Sequence, residues 1–295
     1  MAAALTPFSA DSLSVNLDQM DKYADDLVLR GVTGIFVNGT SAQSLSLTTQ
    51  ERERLLDAWL KTAAVRSKKL IVIVQIGCSS IKDTLYLAKH AAGQALVAGI
   101  AVMAPSYFRP QGTKECAELI ITVAQANPKT PVYYYHIPSM TGVPADVCET
   151  LKLARHYAPN TVGCKFTDSN FCDLARCSSE GFDCLVGADD MVSFALRAGA
   201  VGTIGISYNF AGKLFSEIYR KYTSGNSGLA DDLQKIGAEI MHAIKVTGNV
   251  FGGCYYLTQK LTGVDLGQLR YPNSNISAEQ QHDLDIYLER MGYEL

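Results

Sequence analysis

No apolar run in this 295-residue chain approaches the ~20 residues that cross a bilayer; the longest, Ala95–Ala104, is strand-sized. The first residues, Met1-Ala2-Ala3-Ala4-Leu5, lack the basic stretch and long apolar core of a secretory leader. A cytoplasmic protein with no membrane partner is expected. Charge of one sign is also missing: 26 Lys and Arg stand against 29 Asp and Glu, net -3, with no basic run. That balance gives nucleic acid nothing to hold and leaves small molecules and other copies of the chain as expected partners. The eight cysteines include no Cys-x-x-Cys pair, and the five histidines keep no zinc-like spacing. No metal is therefore expected, and the cysteines read as small core residues of a reducing compartment. Neither a Gly-x-Gly-x-x-Gly fingerprint after the first strand nor a linker or low-complexity stretch is present.

Apolar residues make up 47% of the chain, enough for a sizeable core. Short apolar runs alternate with longer amphipathic segments, and the alternation repeats about eight times before Tyr208. The strands fall at Ala2–Leu5, Gly34–Val37, Leu70–Val74, Gly99–Met103, Val132–Tyr135, Val162–Phe166, Cys184–Val186 and Val201–Ile206. Helices are predicted between them, including Asn16–Arg30, Thr48–Val65, Ile81–Ala92 and Thr113–Gln125. Thr48 with Glu51, Ser79 or Ser80, and Thr167 or Asp168 read as N-terminal caps. Eight βα units with near-continuous apolar strands predict an α/β protein, a (β/α)8 TIM barrel over residues 1–222. Residues 223–295, with helices at Asp231–Thr247, Gly253–Leu261 and Ala278–Arg290, form a C-terminal helical extension of the same domain.

Active sites of this barrel lie where the strands end. Lys165 closes an otherwise apolar strand, and a buried ammonium is costly unless paired or deprotonated. The neutral amine is the form that attacks a carbonyl carbon to make a Schiff base. A strand-end lysine can also reach solvent along its apolar stem. Tyr135 ends the adjacent strand, where a phenol could shuttle protons for imine chemistry, although strands favour tyrosine for packing alone. Asn38-Gly39-Thr40-Ser41 offers hydroxyls and backbone N–H groups to a carboxylate, or simply a turn that satisfies itself. Asp189 and Asp190 precede an apolar helix, so capping explains one carboxylate; a pair of acids at the mouth could equally hold a polyhydroxylated substrate.

Several segments together resemble the N-acetylneuraminate lyase branch of the Schiff-base-forming pyruvate aldolases, the superfamily that also contains dihydrodipicolinate synthase. They are Ile35-Phe36-Val37-Asn38-Gly39-Thr40, Ser44-Leu45-Ser46-Leu47 with Glu51-Arg52, and Tyr133-Tyr134-Tyr135-His136-Ile137-Pro138 with Thr141-Gly142. Gly163-Cys164-Lys165-Phe166-Thr167-Asp168, Gly199-Ala200-Val201-Gly202 and Tyr208-Asn209 complete them, and the resemblance covers almost the whole chain. It implies a homotetrameric barrel that cleaves sialic acid in a reversible retro-aldol reaction, with no cofactor beyond the covalent lysine. Lys165 matches the Schiff-base lysine and Tyr135 the proton shuttle. Thr40 and Ser41 match the carboxylate-binding pair, Thr167 a sugar-orienting threonine, and Gly187, Asp189 and Asp190 the contacts to the hydroxyl tail. Tyr107 matches a tyrosine of the synthase branch that reaches a neighbouring subunit's site in some relatives.

The chain departs from that pattern in three places. Ser41-Ala42-Gln43 stands where the family usually has Thr-Gly-Glu, Ile206 replaces a serine that contacts the sugar's tail, and Gly263–Gly267 lacks a common proline. Ser207, one residue on, faces the other way on a strand. These departures leave room for an imine-forming aldolase or condensation enzyme of a less polar aldehyde or 2-oxo acid. They also leave room for a quiet barrel that only binds.

Overall fold

The computed structural model describes residues 1–293. Eight parallel strands run in sequence order: β1 Ala2–Ala3, β2 Gly34–Val37, β3 Ile71–Gln75, β4 Val97–Met103, β5 Val132–His136, β6 Thr161–Phe166, β7 Asp183–Val186 and β8 Gly202–Thr203. A parallel bridge between Ala2 and Gly205 returns the sheet to its first strand. Ala3 N–H donates to Gly205 O at 2.8 Å and Gly205 N–H to Met1 O at 3.1 Å, so the sheet has no free edge. The strands are apolar on both faces because each packs helices outside and side chains inside. Phe36, Ile73, Ala101, Met103, Tyr135 and Ile204 fill the interior, while a much larger apolar cluster lies between strands and helices.

The first and last strands are shorter than their apolar runs suggest. Ala4, Leu5, Ile204 and Ile206 are buried like strand residues, but only two residues of each run keep regular pairing. The expected helix Asn16–Arg30 starts at Met20, and Thr48–Val65 divides into Thr49–Lys61 and Ala63–Arg66 at Thr62. Thr48 and Glu51 form a full capping box, and Ser80, not Ser79, caps Ile81–Ala92. Neither Thr167 nor Asp168 caps the helix after β6, which begins later, at Phe171. Asp168 instead faces His136, 3.5 Å from its Nε2.

The last helices are Tyr208–Thr223, Ser227–Val246, Val250–Thr262 and Ala278–Arg290. Arg270, in the segment before the final helix, reaches back to the helix that follows β2. It holds the Glu51 carboxylate through two nitrogens at 2.8 and 2.9 Å and the carbonyls of Ser12, Leu13 and Ser46. The extension thereby braces the loop that carries Thr40. No helix among the described residues is long and apolar enough to cross a membrane.

Candidate active site

Strand register brings the central pair together. Met103, Tyr135, Lys165 and Leu185 are successive partners across β4, β5, β6 and β7, one row at the C-terminal end of the barrel. Equal register on neighbouring strands puts side chains on the same face, so Tyr135 and Lys165 both point inward. Lys165 is 4% exposed. Its Nζ lies 3.9 Å from the centroid of the Tyr135 ring and 4.7 Å from that of Phe36. Among the described residues no carboxylate pairs with this amine, and two aromatic faces stand where a counter-ion would. Phe36 packs edge-on against Tyr135 with centroids 5.5 Å apart. Phe36 is not among the site residues that the sequence points to; its inward place on β2 is the signal that marks it.

The Tyr135 hydroxyl meets Thr40 Oγ1 at 3.1 Å, tying the phenol to the loop after β2. That loop closes through Ala42 N–H to Gly39 O and Gln43 N–H to Thr40 O. Between them the N–H groups of Thr40 and Ser41 donate to none of the described residues, as a carboxylate cradle requires. Asn38 and Gln43 take the left-handed conformation, at φ 58° and 54°. The first is ordinary for asparagine; the second costs a glutamine about 1 kcal/mol. Gln43 is held there by Asn273, which donates to its Oε1 at 2.9 Å, while its amide approaches the Tyr255 hydroxyl at 3.5 Å. A neutral amide thus fills the family's carboxylate position by joining the helical extension. A cavity of about 210 Å³ opens beside Thr40, Gln43, Ser44, Met103, Thr141 and Asn273.

Thr167 and Gly187 adjoin Lys165 on the other side. A Cβ on Gly187 would fall 2.1 Å from Thr167 Oγ1 and 3.3 Å from Lys165 Cε, so glycine alone leaves room. Thr167 Oγ1 is buried without a hydrogen-bond partner among the described residues and is available to a ligand.

The acidic pair divides. Asp189 is buried and its Oδ2 accepts from Ile206 N–H at 3.1 Å. Its Oδ1 has no hydrogen-bond partner among the described residues and presses against Gly205, where a Cβ would come within 1.6 Å. Burial raises the Asp189 carboxyl to about 6. Ser207 Oγ lies near it without closing a hydrogen bond of full geometry. Asp190 instead pairs with Lys245 at 2.5 Å. Neither acid caps a helix, because the short turn Asp189–Met191 spends both carboxylates on other partners. Ile206 is 9% exposed and belongs to the large apolar cluster. Tyr107 is 84% exposed and stacks edge-on with the equally exposed Phe108.

A cavity of about 700 Å³ lies at the opposite end of the barrel, beside Met1, Thr33 and Gly202 where strands begin. Chemistry in this fold belongs to the other end, so the smaller cleft beside Thr40 is the relevant one.

A closed eight-stranded barrel with a buried amine where its strands end has the architecture of a (β/α)8-barrel enzyme. The chain belongs to the dihydrodipicolinate synthetase family, whose match spans residues 1–291. It is 35% identical to the N-acetylneuraminate lyase of Xenopus tropicalis over 286 residues, covering 96% of this chain and 92% of that protein. Identity to the Gallus gallus N-acetylneuraminate lyase is 34%, covering 95% and 91%. Among solved structures, N-acetylneuraminate lyase from Proteus mirabilis superposes with a TM-score of 0.89 at 30% identity, covering 99% of this chain and 98% of that one.

Proposed function

We propose that this chain is an N-acetylneuraminate lyase, a class I aldolase that reversibly cleaves sialic acid to N-acetylmannosamine and pyruvate. The observation that carries the reading is the buried Lys165 amine, without a carboxylate partner among the described residues and set in one register row with Tyr135. Identity of 35% to a relative of that name over nearly the whole chain supports it.

In this reading Lys165 attacks the C2 ketone of the open-chain sugar and expels water to form an iminium, which draws electrons from the breaking C3–C4 bond. Tyr135, having given its proton to the departing water, takes the C4 hydroxyl proton, and Thr40, hydrogen-bonded to that phenol, fixes its direction. Cleavage releases N-acetylmannosamine and leaves an enamine on Lys165, which takes a proton at C3 and is hydrolysed to pyruvate. Thr40 and Ser41 hold the substrate carboxylate. Thr167 meets the sugar, and Gly187 and Asp189 border its tail. Lysine itself is the electron sink, so the chemistry calls for no metal or dissociable cofactor. The enzyme works in the cytoplasm as a homotetramer, in which exposed Tyr107 and Phe108 meet a second copy.

Borohydride reduction in the presence of pyruvate tests the covalent step, with one pyruvate-derived adduct expected on Lys165. An unmodified Lys165 would overturn the enzyme reading. Pyruvate release from N-acetylneuraminate then tests the sugar.

A second reading keeps the pyruvate half and changes the aldehyde. The pairing of Asp190 with Lys245 and the apolar side chain of Ile206 favour it, since both reduce the polar groups available to a glycerol tail. An adduct with pyruvate but no cleavage of N-acetylneuraminate would select it.

A further inference from the structure

Four cysteines that the chain scatters converge behind the Lys165 strand. Cys164 is on β6 and Cys184 is its register partner on β7, so both side chains leave the same face of the sheet. That face is opposite to the Lys165 face, because Cys164 immediately precedes the lysine. Cys177 comes from the intervening helix Phe171–Ser179. The sulfurs of Cys164, Cys177 and Cys184 all lie within 4.8 Å of one another, and each residue is 0% exposed. Cys164 Sγ and Cys184 Sγ are 3.9 Å apart. Cys148, on the neighbouring helix Val147–Tyr157, lies near enough to Cys177 for the two thiols to perturb each other.

We propose that Cys164, Cys177 and Cys184 form a metal site that takes a thiophilic d10 divalent ion of the zinc class, with Cys148 as the fourth donor. Zinc–sulfur bonds of about 2.3 Å in a tetrahedron put sulfurs about 3.8 Å apart. One edge of the cluster already has that length, and the others need to close by no more than about 1 Å to reach it. Thiolates select such ions over harder ones. Three of the donors also sit on two strands and a helix of one βαβ unit, so the scaffold holds them without a loop rearrangement.

On binding, with Cys148 completing the tetrahedron, four S–H bonds break, four S–metal bonds form and four protons pass to solvent, with no change of oxidation state. The complex carries two negative charges, and the site is structural: its donors lie between the barrel wall and the helices that cover it, away from the reacting carbonyl. It clamps β6, which carries Lys165, to β7, which Gly187 follows.

Reduced protein, purified without immobilised metal and stripped with a chelator, is titrated anaerobically with Cd(II) as spectroscopic probe. One equivalent should bind, with a thiolate-to-cadmium charge-transfer band, proton release and a raised thermal midpoint. Zn(II) should displace the band, and Cu(I) serves as the arm that tests a monovalent ion. Replacing the exposed Cys172→Ser should leave binding unchanged, whereas Cys177→Ser should weaken it tenfold or more. Cys177→Ala and circular dichroism separate loss of a ligand from loss of the fold. In the unsubstituted protein, alkylation under mild denaturant should find Cys164, Cys177 and Cys184 shielded by cadmium. Absence of the band, its loss in Cys172→Ser, or shielding of other cysteines alone would overturn the proposal.

Discussion

Lys165 and its neighbours concentrate the chemistry into a few side chains, and each can be tested separately. Lys165→Ala should abolish the borohydride-trapped adduct and lower turnover by about 10³-fold or more, as loss of a covalent nucleophile does. Tyr135→Phe keeps the ring against Lys165 and Phe36 and removes only the hydroxyl that meets Thr40. It should leave adduct formation detectable while kcat falls about 10²- to 10⁴-fold. Gly187→Ala would drive a methyl into Thr167 Oγ1, so activity should fall sharply in a protein whose circular dichroism is unchanged. Ile206→Ser should raise cleavage of N-acetylneuraminate if the apolar side chain limits the tail pocket; an unchanged kcat/KM would show that it does not. Asp189 supplies a pH signature. Its carboxyl is raised to about 6 by burial, so the folded state binds this proton more tightly than the unfolded chain. Stability should therefore be greatest below pH 4 for this group and decline as pH rises from about 4 to 6. The shift corresponds to about 3 kcal/mol at most. Asp189→Asn should remove that decline when denaturation midpoints are compared across pH 4–7.

At the scale of elements, the loop after β2 and the helix that follows it show how the site is held. The capping box of Thr48 and Glu51 was legible as a Thr-x-x-Glu pattern, and it exists. What the pattern did not reveal is that Glu51 also receives the Arg270 guanidinium from the far end of the chain. Those hydrogen bonds from Arg270 hold the Glu51 carboxyl below its ordinary range. Thr48→Ala should cost about 1 kcal/mol in urea denaturation with an unchanged m-value, because it removes a cap and exposes no core. Asp168 shows the opposite outcome. It looked like a helix cap by position, yet the helix begins three residues later and its carboxylate turns to His136. Local patterns locate a helix start to within a few residues, and which polar group serves it depends on what else lies within reach.

For the molecule as a whole, eight βα repeats were countable because a parallel strand covered on both faces must be apolar along its length. The barrel follows from that count together with the short connections. Closure does not: it rests on the bridge from Ala2 to Gly205, made by residues at the two ends of the sheet. The exposed Tyr107 and Phe108 place another test at this scale. Sedimentation equilibrium should give four times the mass of one chain, and Tyr107→Ala with Phe108→Ala should shift it toward smaller species.

By itself the sequence determined the strands, the barrel class, and the identity of Lys165 and Tyr135 as the strand-end amine and phenol, because period and residue type are local properties. Tertiary structure decided the partnerships. Register put Tyr135 beside Lys165, the helical extension captured Gln43 and Glu51, and Lys245 engaged Asp190. It also gathered Cys164, Cys177 and Cys184 into one cluster, although nothing in their spacing resembles a ligand motif. Contacts of this kind join residues far apart in the chain, and only the closed barrel fixes which of them meet.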